Sequence, residues 1–361
     1  MGRATDLPAV ARAQAALRDG GCGIIVTSDI NRRYLTGFRG TAGIVVLTAE
    51  RQILCVDGRY FEQAKEQCPD WEIVLQKGDR LAASAAAAQA TGVTAFLFEA
   101  DALTCADHDT LAQACDGLGL SLAPSKGWVA ALRRRKSAAE IATMRRACEI
   151  ASAAFEHATT VIRPGVRESD VGWALERFMR EAGGEGIKTN HVVASGPRSA
   201  LPHGRATDRV LERGDLITLD IGAVVDGYLS DMTRTFAIGA ADARQREVYG
   251  WVREAQAMAL EMVRPGAVAQ EIDAAVRAYF AGRGVADAFV HSLGHAIGME
   301  PHEYPRLAPG DATVLTPGIV TSVEPGLYFP GWGGVRIEDL VALTEDGHEN
   351  LCAFPKELMI L

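Results

Sequence analysis

The segment VLERGDLITLDIG at residues 210–222 recurs without a gap as VLTPGIVTSVEPG at residues 314–326. Both copies begin with Val-Leu, have glycine at the fifth position, and end an apolar run with an acidic residue two positions before the final glycine. A β-branched apolar run after a Gly-containing turn is typical of a buried strand. The acidic residues coincide, with Asp220 aligned on Glu324. The chain therefore contains an internal duplication.

The duplication extends beyond these strands. VIRPG at residues 161–165 and MVRPG at residues 262–266 each end a predicted helix. A second helix follows each of them, at residues 169–182 and 268–282. A predicted hairpin then follows, and Asp231 of the first hairpin falls near Glu338 of the second. The pattern predicts two αα-ββ halves whose strands face each other around a central site.

Four acidic residues and one histidine lie within or beside the apolar runs of this region: Asp220, Asp231, His295, Glu324 and Glu338. Buried carboxylates that converge repel one another and lose their hydration. A pair of divalent cations is the simplest arrangement that keeps them ionised together. Asp220 and Asp231 flank a short turn, and their odd separation predicts the same face of the hairpin, opposite or diagonal.

Four carboxylates and one imidazole suit Mn²⁺, Co²⁺, Fe²⁺ or Zn²⁺. Two such ions about 3.5–4 Å apart can hold a hydroxide and polarise an amide carbonyl, so the pattern predicts metal-assisted hydrolysis. Three further histidines flank the region: His203, His291 and His302. Histidine can stabilise an oxyanion and protonate a leaving amine. The alternative for each is a core histidine that is satisfied by a backbone carbonyl.

The N-terminal part alternates short β-branched runs, such as Ile53–Val56, with helical patterns, such as residues 79–91 and 103–117. This alternation predicts an α/β domain. The domain ends near residues 122–136, where the basic run LRRRK at residues 132–136 is interpreted as a solvated lead-in to a helix. Ser137 and Glu140 form a capping box that opens this long helix.

Bulk properties limit the possible partners. The chain has 361 residues, 48% hydrophobic and 23% charged, with a formal net charge of -9. An acidic chain without a long apolar run argues against nucleic-acid and membrane partners. The seven cysteines form no Cys-x-x-Cys pair, which favours reduced thiols. The N-terminal residues 1–6 lack the apolar stretch of a secretory signal, so a cytoplasmic location is expected.

At these motifs the chain resembles the creatinase/methionine aminopeptidase superfamily with its pita-bread fold, and more narrowly the Xaa-Pro peptidases, prolidase and aminopeptidase P. NRRYLTGF at residues 31–38 and VDGRY at residues 56–60 look like the N-terminal domain of that group. Methionine aminopeptidases lack this domain, and creatinase has it without the metal ligands. The resemblance implies an α+β fold: a creatinase-like α/β domain at residues 1–128, then a duplicated pita-bread metallopeptidase domain at residues 129–361.

The same resemblance implies roles for the ligands. Asp231 and Glu338 bridge both metal ions, Asp220 binds one, and His295 with Glu324 binds the other. Glu324 also passes on the proton of the bridging water. Mn²⁺ is the first expectation among the four metals.

Further roles follow from the resemblance. The three flanking histidines bind the substrate and the intermediate, while Tyr328 and Arg336 orient ligands and substrate. Thr233 supports Asp220 or Asp231. Arg306, in HEYPR at residues 302–306, lies where prolidases have an arginine that binds the C-terminal carboxylate of a dipeptide. The forked donors of a guanidinium match the two oxygens of a carboxylate. A plain structural ion pair is the alternative for Arg306.

The implied function is an Xaa-Pro dipeptidase that acts on proline-containing dipeptides, and the family suggests a homodimer. Proline in the second position leaves the scissile amide without an N–H, so a special enzyme is needed. The alternative is an aminopeptidase P that removes the residue before proline from longer peptides. A non-catalytic scaffold with the same fold is the remote alternative.

Overall fold

The computed structural model describes residues 8–188 and 191–361, so the N-terminal segment that carries the localisation prediction lies outside the described residues. The chain divides into two compact units, and the boundary along the sequence lies between Arg133 and Arg134. Within the described ranges, no helix combines the length and the apolar character that crossing a lipid bilayer requires.

The first unit is a mixed sheet with helices. Its strands are β1 (Gly23–Val26), β2 (Ile44–Leu47), β3 (Gln52–Val56), β4 (Glu72–Leu75), β5 (Ala95–Glu99) and β6 (Ser121–Ser125). They form a six-stranded sheet in the order β4-β3-β2-β1-β5-β6. The β1–β2–β3 pairs are antiparallel, and the outer pairs are parallel. The helices are α1 (Ala9–Gly20), α2 (Asp29–Thr36), α3 (Phe61–Gln67), α4 (Arg80–Gln89), α5 (Cys105–Gly117) and α6 (Trp128–Arg133).

Residues 31–36 of the motif at residues 31–38 lie on α2, a helix that the sequence pattern did not predict, and Gly37 caps this helix. Glu99, at the end of β5, accepts hydrogen bonds from the backbone N–H groups of Thr27 and Ser28 and from Asn31 Nδ2. Arg32 is buried and donates to two backbone carbonyls of the loop before β2. These contacts join α2 to the sheet, so this motif has a structural role within the first unit.

The second unit contains the duplication. Its helices are α7 (Ala138–Val161), α8 (Glu168–Glu181), α9 (Ala243–Met262) and α10 (Ala269–Ala281). The strands of its first half are β7 (Gly186–Ile187), β8 (Val192–Ser195), β9 (Leu216–Ile221), β10 (Ala223–Val225), β11 (Tyr228–Leu229) and β12 (Met232–Ala237). The strands of its second half are β13 (Gly294–Ala296), β14 (Glu303–Leu307), β15 (Val320–Val323), β16 (Gly326–Phe329), β17 (Gly333–Arg336), β18 (Asp339–Leu343) and β19 (His348–Asn350).

Equivalent contacts recur in the two halves. The sheet order β12-β9-β8 of the first half corresponds to β18-β15-β13 within the five-stranded sheet of the second. Gly165 donates its backbone N–H to Leu211 O at 2.9 Å, and Gly266 donates to Leu315 O at 2.9 Å. Both glycines have a left-handed φ, 91° and 87°, which glycine adopts without steric cost. The predicted duplication and α+β class are confirmed.

The interpretation of residues 132–136 as a solvated lead-in is wrong for two of its residues. Arg133 and Lys136 are each only 3% exposed. Lys136 Nζ lies 2.8 Å from Glu303 Oε2 in a buried ion pair, because a charge that leaves water needs a partner. The predicted capping box follows directly, with Glu140 N donating to Ser137 Oγ at 3.3 Å and Ser137 N donating to Glu140 Oε2 at 2.6 Å.

Candidate metal centre

The first hairpin places two of the predicted ligands side by side. Asp220 on β9 is paired with Thr233 on β12, and the same register continues through β10 and β11. The loop is the two-residue turn Asp226-Gly227, whose φ values of 48° and 82° are both positive, as a type I′ turn requires. Asp231 therefore lies diagonally across from Asp220 on the same face of the hairpin.

The second hairpin places the other two acids opposite each other. The pairs Val323–Asp339 and Gly326–Arg336 bracket Glu324 and Glu338 in one register. Asp231 thus does not occupy the position that corresponds to Glu338 in the repeat.

That corresponding position belongs to Thr233. The backbone N–H of Glu338 donates to Thr233 O at 3.1 Å, which joins the two hairpins by an isolated bridge. The Thr233 hydroxyl also donates to Glu338 Oε2 at 2.6 Å. The expectation that Thr233 supports Asp220 or Asp231 is therefore wrong in this structure, because its hydroxyl proton is given to Glu338.

His295 on β13 completes the cluster. Its Nδ1 lies 3.2 Å from Ala296 O, and its Nε2 lies 3.2 Å from Glu324 Oε1. Burial alone would lower the pKa of His295, but the contact with Glu324 outweighs burial and raises this pKa. Ligand atoms of Asp231, His295 and Glu338 lie within 4.8 Å of one another. A backbone carbonyl that contacts the other ring nitrogen and so orients the imidazole is typical of metal-binding histidines.

The acids are buried and strongly coupled. Burial raises the pKa of Glu338 well above its usual value, and the neighbouring Asp231 raises it further. Burial likewise raises the pKa of Asp231 to about 7, with Asp220 adding to the effect against the opposing charge of Lys188. With all four acids ionised, the cluster would carry more negative charge than Lys188 and Arg336 neutralise. An oxygen-rich donor set with one imidazole fits a divalent metal.

Arg336 and Tyr328 form a hydrogen-bonded chain beside the ligands. Arg336 donates from Nη2 to Asp220 Oδ2 at 2.8 Å and from Nη1 to the Tyr328 hydroxyl at 2.6 Å. Tyr328 OH lies 2.8 Å from His291 Nε2, and His291 Nδ1 lies 2.8 Å from Ser292 O. Because Arg336 can only donate, the protons run from Arg336 to Tyr328 to His291 to the carbonyl. Both ring nitrogens of His291 are therefore engaged within the protein.

Lys188 is a member of the site that sequence reasoning missed. Its Nζ donates to Asp220 Oδ1 at 2.6 Å and to Asp231 Oδ1. Burial alone would raise the pKa of Asp220, but Lys188 and Arg336 outweigh it and hold this pKa below its usual value. The local sequence does not indicate that Lys188 contacts these carboxylates, because the residue follows the two-residue strand β7 and belongs to no motif.

The predicted metal ligands line one cavity of about 190 Å³ together with Lys188 and most of the predicted substrate-binding residues: His203, Asp220, Asp231, His291, His295, His302, Arg306, Glu324, Arg336 and Glu338. Tyr328 is buried behind them. The rings of His302 and His295 have centroids 4.3 Å apart, and burial, then His295, lowers the pKa of His302 to about 4. Arg306 lies on β14, and its guanidinium makes no ion pair within the described residues. The alternative role, a structural ion pair, therefore has no acidic partner there.

A buried cluster of acids and histidine in a duplicated αα-ββ unit defines a metallohydrolase. The chain belongs to metallopeptidase family M24: residues 142–345 match the model of that family, and residues 10–135 match the creatinase/prolidase N-terminal domain. The predicted family and the predicted pita-bread architecture are thereby confirmed.

Relatives share nearly the whole length of the chain. The uncharacterized peptidase YqhT of Bacillus subtilis is 40% identical over 339 residues, 94% of this chain and 96% of that protein. The solved structure of an Xaa-Pro dipeptidase from Bacillus anthracis has a TM-score of 0.93 at 42% identity, covering 98% of this chain and 99% of that one. The crystal structure of an X-Pro aminopeptidase from Thermotoga maritima has a TM-score of 0.92 at 31% identity, with 98% and 99% covered.

Proposed function

We propose that this chain is an Xaa-Pro dipeptidase that uses two divalent metal ions. The observation that carries the proposal is the convergence of the five predicted ligands in one cavity with Arg306. When bound, the two cations supply an activated water and polarise the scissile carbonyl. Asp231 and Glu338 would be shared by the two ions, Asp220 would hold one of them, and His295 with Glu324 would hold the other.

Glu324 is the proposed proton acceptor. Burial would raise its pKa, but its contact with His295 outweighs burial and lowers the pKa to about 2. Glu324 is therefore ionised at neutral pH and can accept the proton of the attacking water. His302 is neutral at that pH, and with the exposed His203 it borders the cavity where a substrate carbonyl would lie. His291 is placed to act through Tyr328 and Arg336.

Arg306 supports the choice of a dipeptide substrate. Its guanidinium shares the cavity with the metal ligands and makes no ion pair within residues 8–188 and 191–361, so it is available to a carboxylate. The B. anthracis dipeptidase is also the more identical of the two enzymes whose structures are compared above. The fold match to the T. maritima aminopeptidase supports the alternative, an aminopeptidase that acts on longer peptides. The preference for Mn²⁺, the homodimer and the cytoplasmic location stay predictions.

Hydrolysis of Ala-Pro and Ala-Pro-Ala by Mn²⁺-loaded protein tests the proposal. We expect rapid cleavage of Ala-Pro that stops on chelation, and no activity or Mn²⁺ binding in Glu338→Gln. Arg306→Ala should raise KM for Ala-Pro at least about tenfold, since a charge-assisted bidentate contact contributes ~1.5–3 kcal/mol, while Arg177→Ala on the exposed face of α8 should leave KM unchanged. Faster cleavage of the tripeptide would favour the aminopeptidase, and metal binding without any hydrolysis would favour the scaffold.

A further inference from the structure

Tyr304 is an exposed aromatic residue that lies beside the cavity on β14. Burial alternates from residue to residue along this strand, so Tyr304 and Arg306 share its exposed face. Tyr304 is 61% exposed, and its hydroxyl makes no hydrogen bond within the described residues. Because side chains two residues apart on a strand point to the same side, the ring of Tyr304 lies next to the guanidinium of Arg306.

The two side chains are in contact. The Cζ atom of Arg306 lies 5.3 Å from the centroid of the Tyr304 ring, within the distance at which a cation is attracted to an aromatic face. A guanidinium is planar and its N–H donors lie in its plane, so contact with an aromatic face leaves these donors free. The contact therefore restrains the arginine side chain and still leaves its donors available to a carboxylate.

The backbone beneath this pair is fixed from several directions. Arg306 is paired with His295 on β13, and its backbone N–H donates to Asp311 Oδ2 at 2.8 Å. On the buried face of β14, Glu303 forms its ion pair with Lys136. The freedom that remains to Arg306 is therefore that of its long side chain.

Tyr304 acts through Arg306 and does not line the cavity itself. Arg306 is among the residues that line the cavity, and Tyr304 is not. A long side chain loses rotamer entropy when a ligand immobilises it, and a contact that holds it in place beforehand removes part of this cost. The Tyr304 ring is therefore placed to make carboxylate binding by Arg306 less costly.

We propose that Tyr304 is a positioning residue that holds the Arg306 guanidinium ready for the C-terminal carboxylate of a dipeptide. This inference rests on the proposed function, in which Arg306 binds that carboxylate. The carboxylate does not take part in bond cleavage, so its contact is equally strong in the bound substrate and in the transition state. Tyr304 therefore contributes to KM and not to kcat.

Kinetics and ligand binding of Tyr304→Ala test the inference. An exposed cation–π contact contributes ~0.5–1 kcal/mol, so KM for Ala-Pro should rise about two- to fivefold at unchanged kcat. The affinity for L-proline, measured by isothermal titration calorimetry, should fall by the same factor. The affinity for L-prolinamide, which lacks the carboxylate, should not change. Tyr304→Phe retains the ring and should restore the wild-type KM.

A double-mutant cycle determines whether Tyr304 acts through Arg306. In the Arg306→Ala background, Tyr304→Ala should have no further effect on KM. Trp173→Ala is the matched control, because it removes an aromatic side chain of similar exposure, 68%, from α8, and it should leave KM unchanged. Because Tyr304 is exposed, we expect all of its variants to unfold at the wild-type Tm.

Three outcomes contradict this account in different ways. An unchanged KM in Tyr304→Ala, beside a raised KM in Arg306→Ala, would overturn the inference and leave the proposed function intact. An equal effect of Tyr304→Ala with and without Arg306 would also overturn it, because the ring would then act independently of the guanidinium. An unchanged KM in Arg306→Ala would remove the carboxylate-binding role on which the inference and the choice of a dipeptide substrate both rest.

Discussion

Replacing Arg234 by lysine should destabilise the second unit strongly, although the charge is retained. Arg234 is 1% exposed, and all five N–H donors of its guanidinium are used. The acceptors are Pro355 O at 2.8 Å, Thr233 O at 2.8 Å, Glu338 O at 2.6 Å, Phe354 O at 2.7 Å and Asp339 Oδ1 at 2.7 Å. Arg234 thus binds both the bridge that joins the two hairpins and the segment at residues 354–355 that follows β19.

The magnitude follows from counting donors. A lysine ammonium has three donors, and Thr233 O keeps the Glu338 N–H as a donor, so at least one of the other four buried acceptors loses its partner. A buried acceptor left unsatisfied costs about 1–3 kcal/mol, so Arg234→Lys should cost roughly 2 kcal/mol. In a domain of this size, 1 kcal/mol shifts Tm by about 2–4 °C, so we expect a fall of about 4–8 °C.

The assay is thermal unfolding of metal-free wild type and variant, followed by circular dichroism. Arg145→Lys is the matched control, because Arg145 also makes two bonds to a carboxylate, Glu349, at 2.8 and 2.9 Å, but the two side chains are 41% and 42% exposed. Exposed pairs contribute about 0–1 kcal/mol. If Arg234→Lys lowers Tm no more than Arg145→Lys does, the donor count is not what stabilises this junction.

Two further predictions concern the hairpin and the pH dependence. A Cβ added at Gly222 would lie 1.9 Å from Ser230 O, so Gly222→Ala should cost about 3 kcal/mol of stability and weaken Mn²⁺ binding. The control Gly250→Ala, whose Cβ would meet nothing within 4 Å, should be neutral or stabilising. Chemical denaturation and equilibrium dialysis measure both variants, and a Gly222→Ala variant as stable as wild type would contradict the clash. Burial and His295 lower the pKa of His302 from 6.5 to about 4. Between these two pH values, the unfolded chain binds a proton at His302 that the folded protein does not bind. Stability is therefore lost as the pH falls from 6.5 to about 4. Metal-free His302→Asn should therefore lose less Tm than wild type between pH 7.5 and 4.5, and equal losses would show that His302 does not titrate in this way.

The repeat and the convergence of the predicted ligands were accessible from sequence, because both depend on local pattern. A strand has a side-chain period of two, so the spacing of Asp220 and Asp231 across a short turn already determines that they share a face. The repeated segments at residues 210–222 and 314–326 align Asp220 with Glu324, and both line the cavity in the structure. The Pro-Gly pairs at residues 164–165 and 265–266 likewise indicate the backbone conformation after each helix from residue type alone.

Tertiary structure decided the partners of these residues. Helix α2 has local caps in Ser28 and Gly37, but the buried Glu99 that anchors Asn31 is far away in sequence. Thr233 supports Glu338 and not its hairpin neighbours, since the two hairpins meet there. Lys188 enters the carboxylate cluster from a segment with no motif of its own. Backbone pairing follows from periodicity that any short window contains, whereas the partner of a buried charge depends on which distant segments packing brings within hydrogen-bond distance.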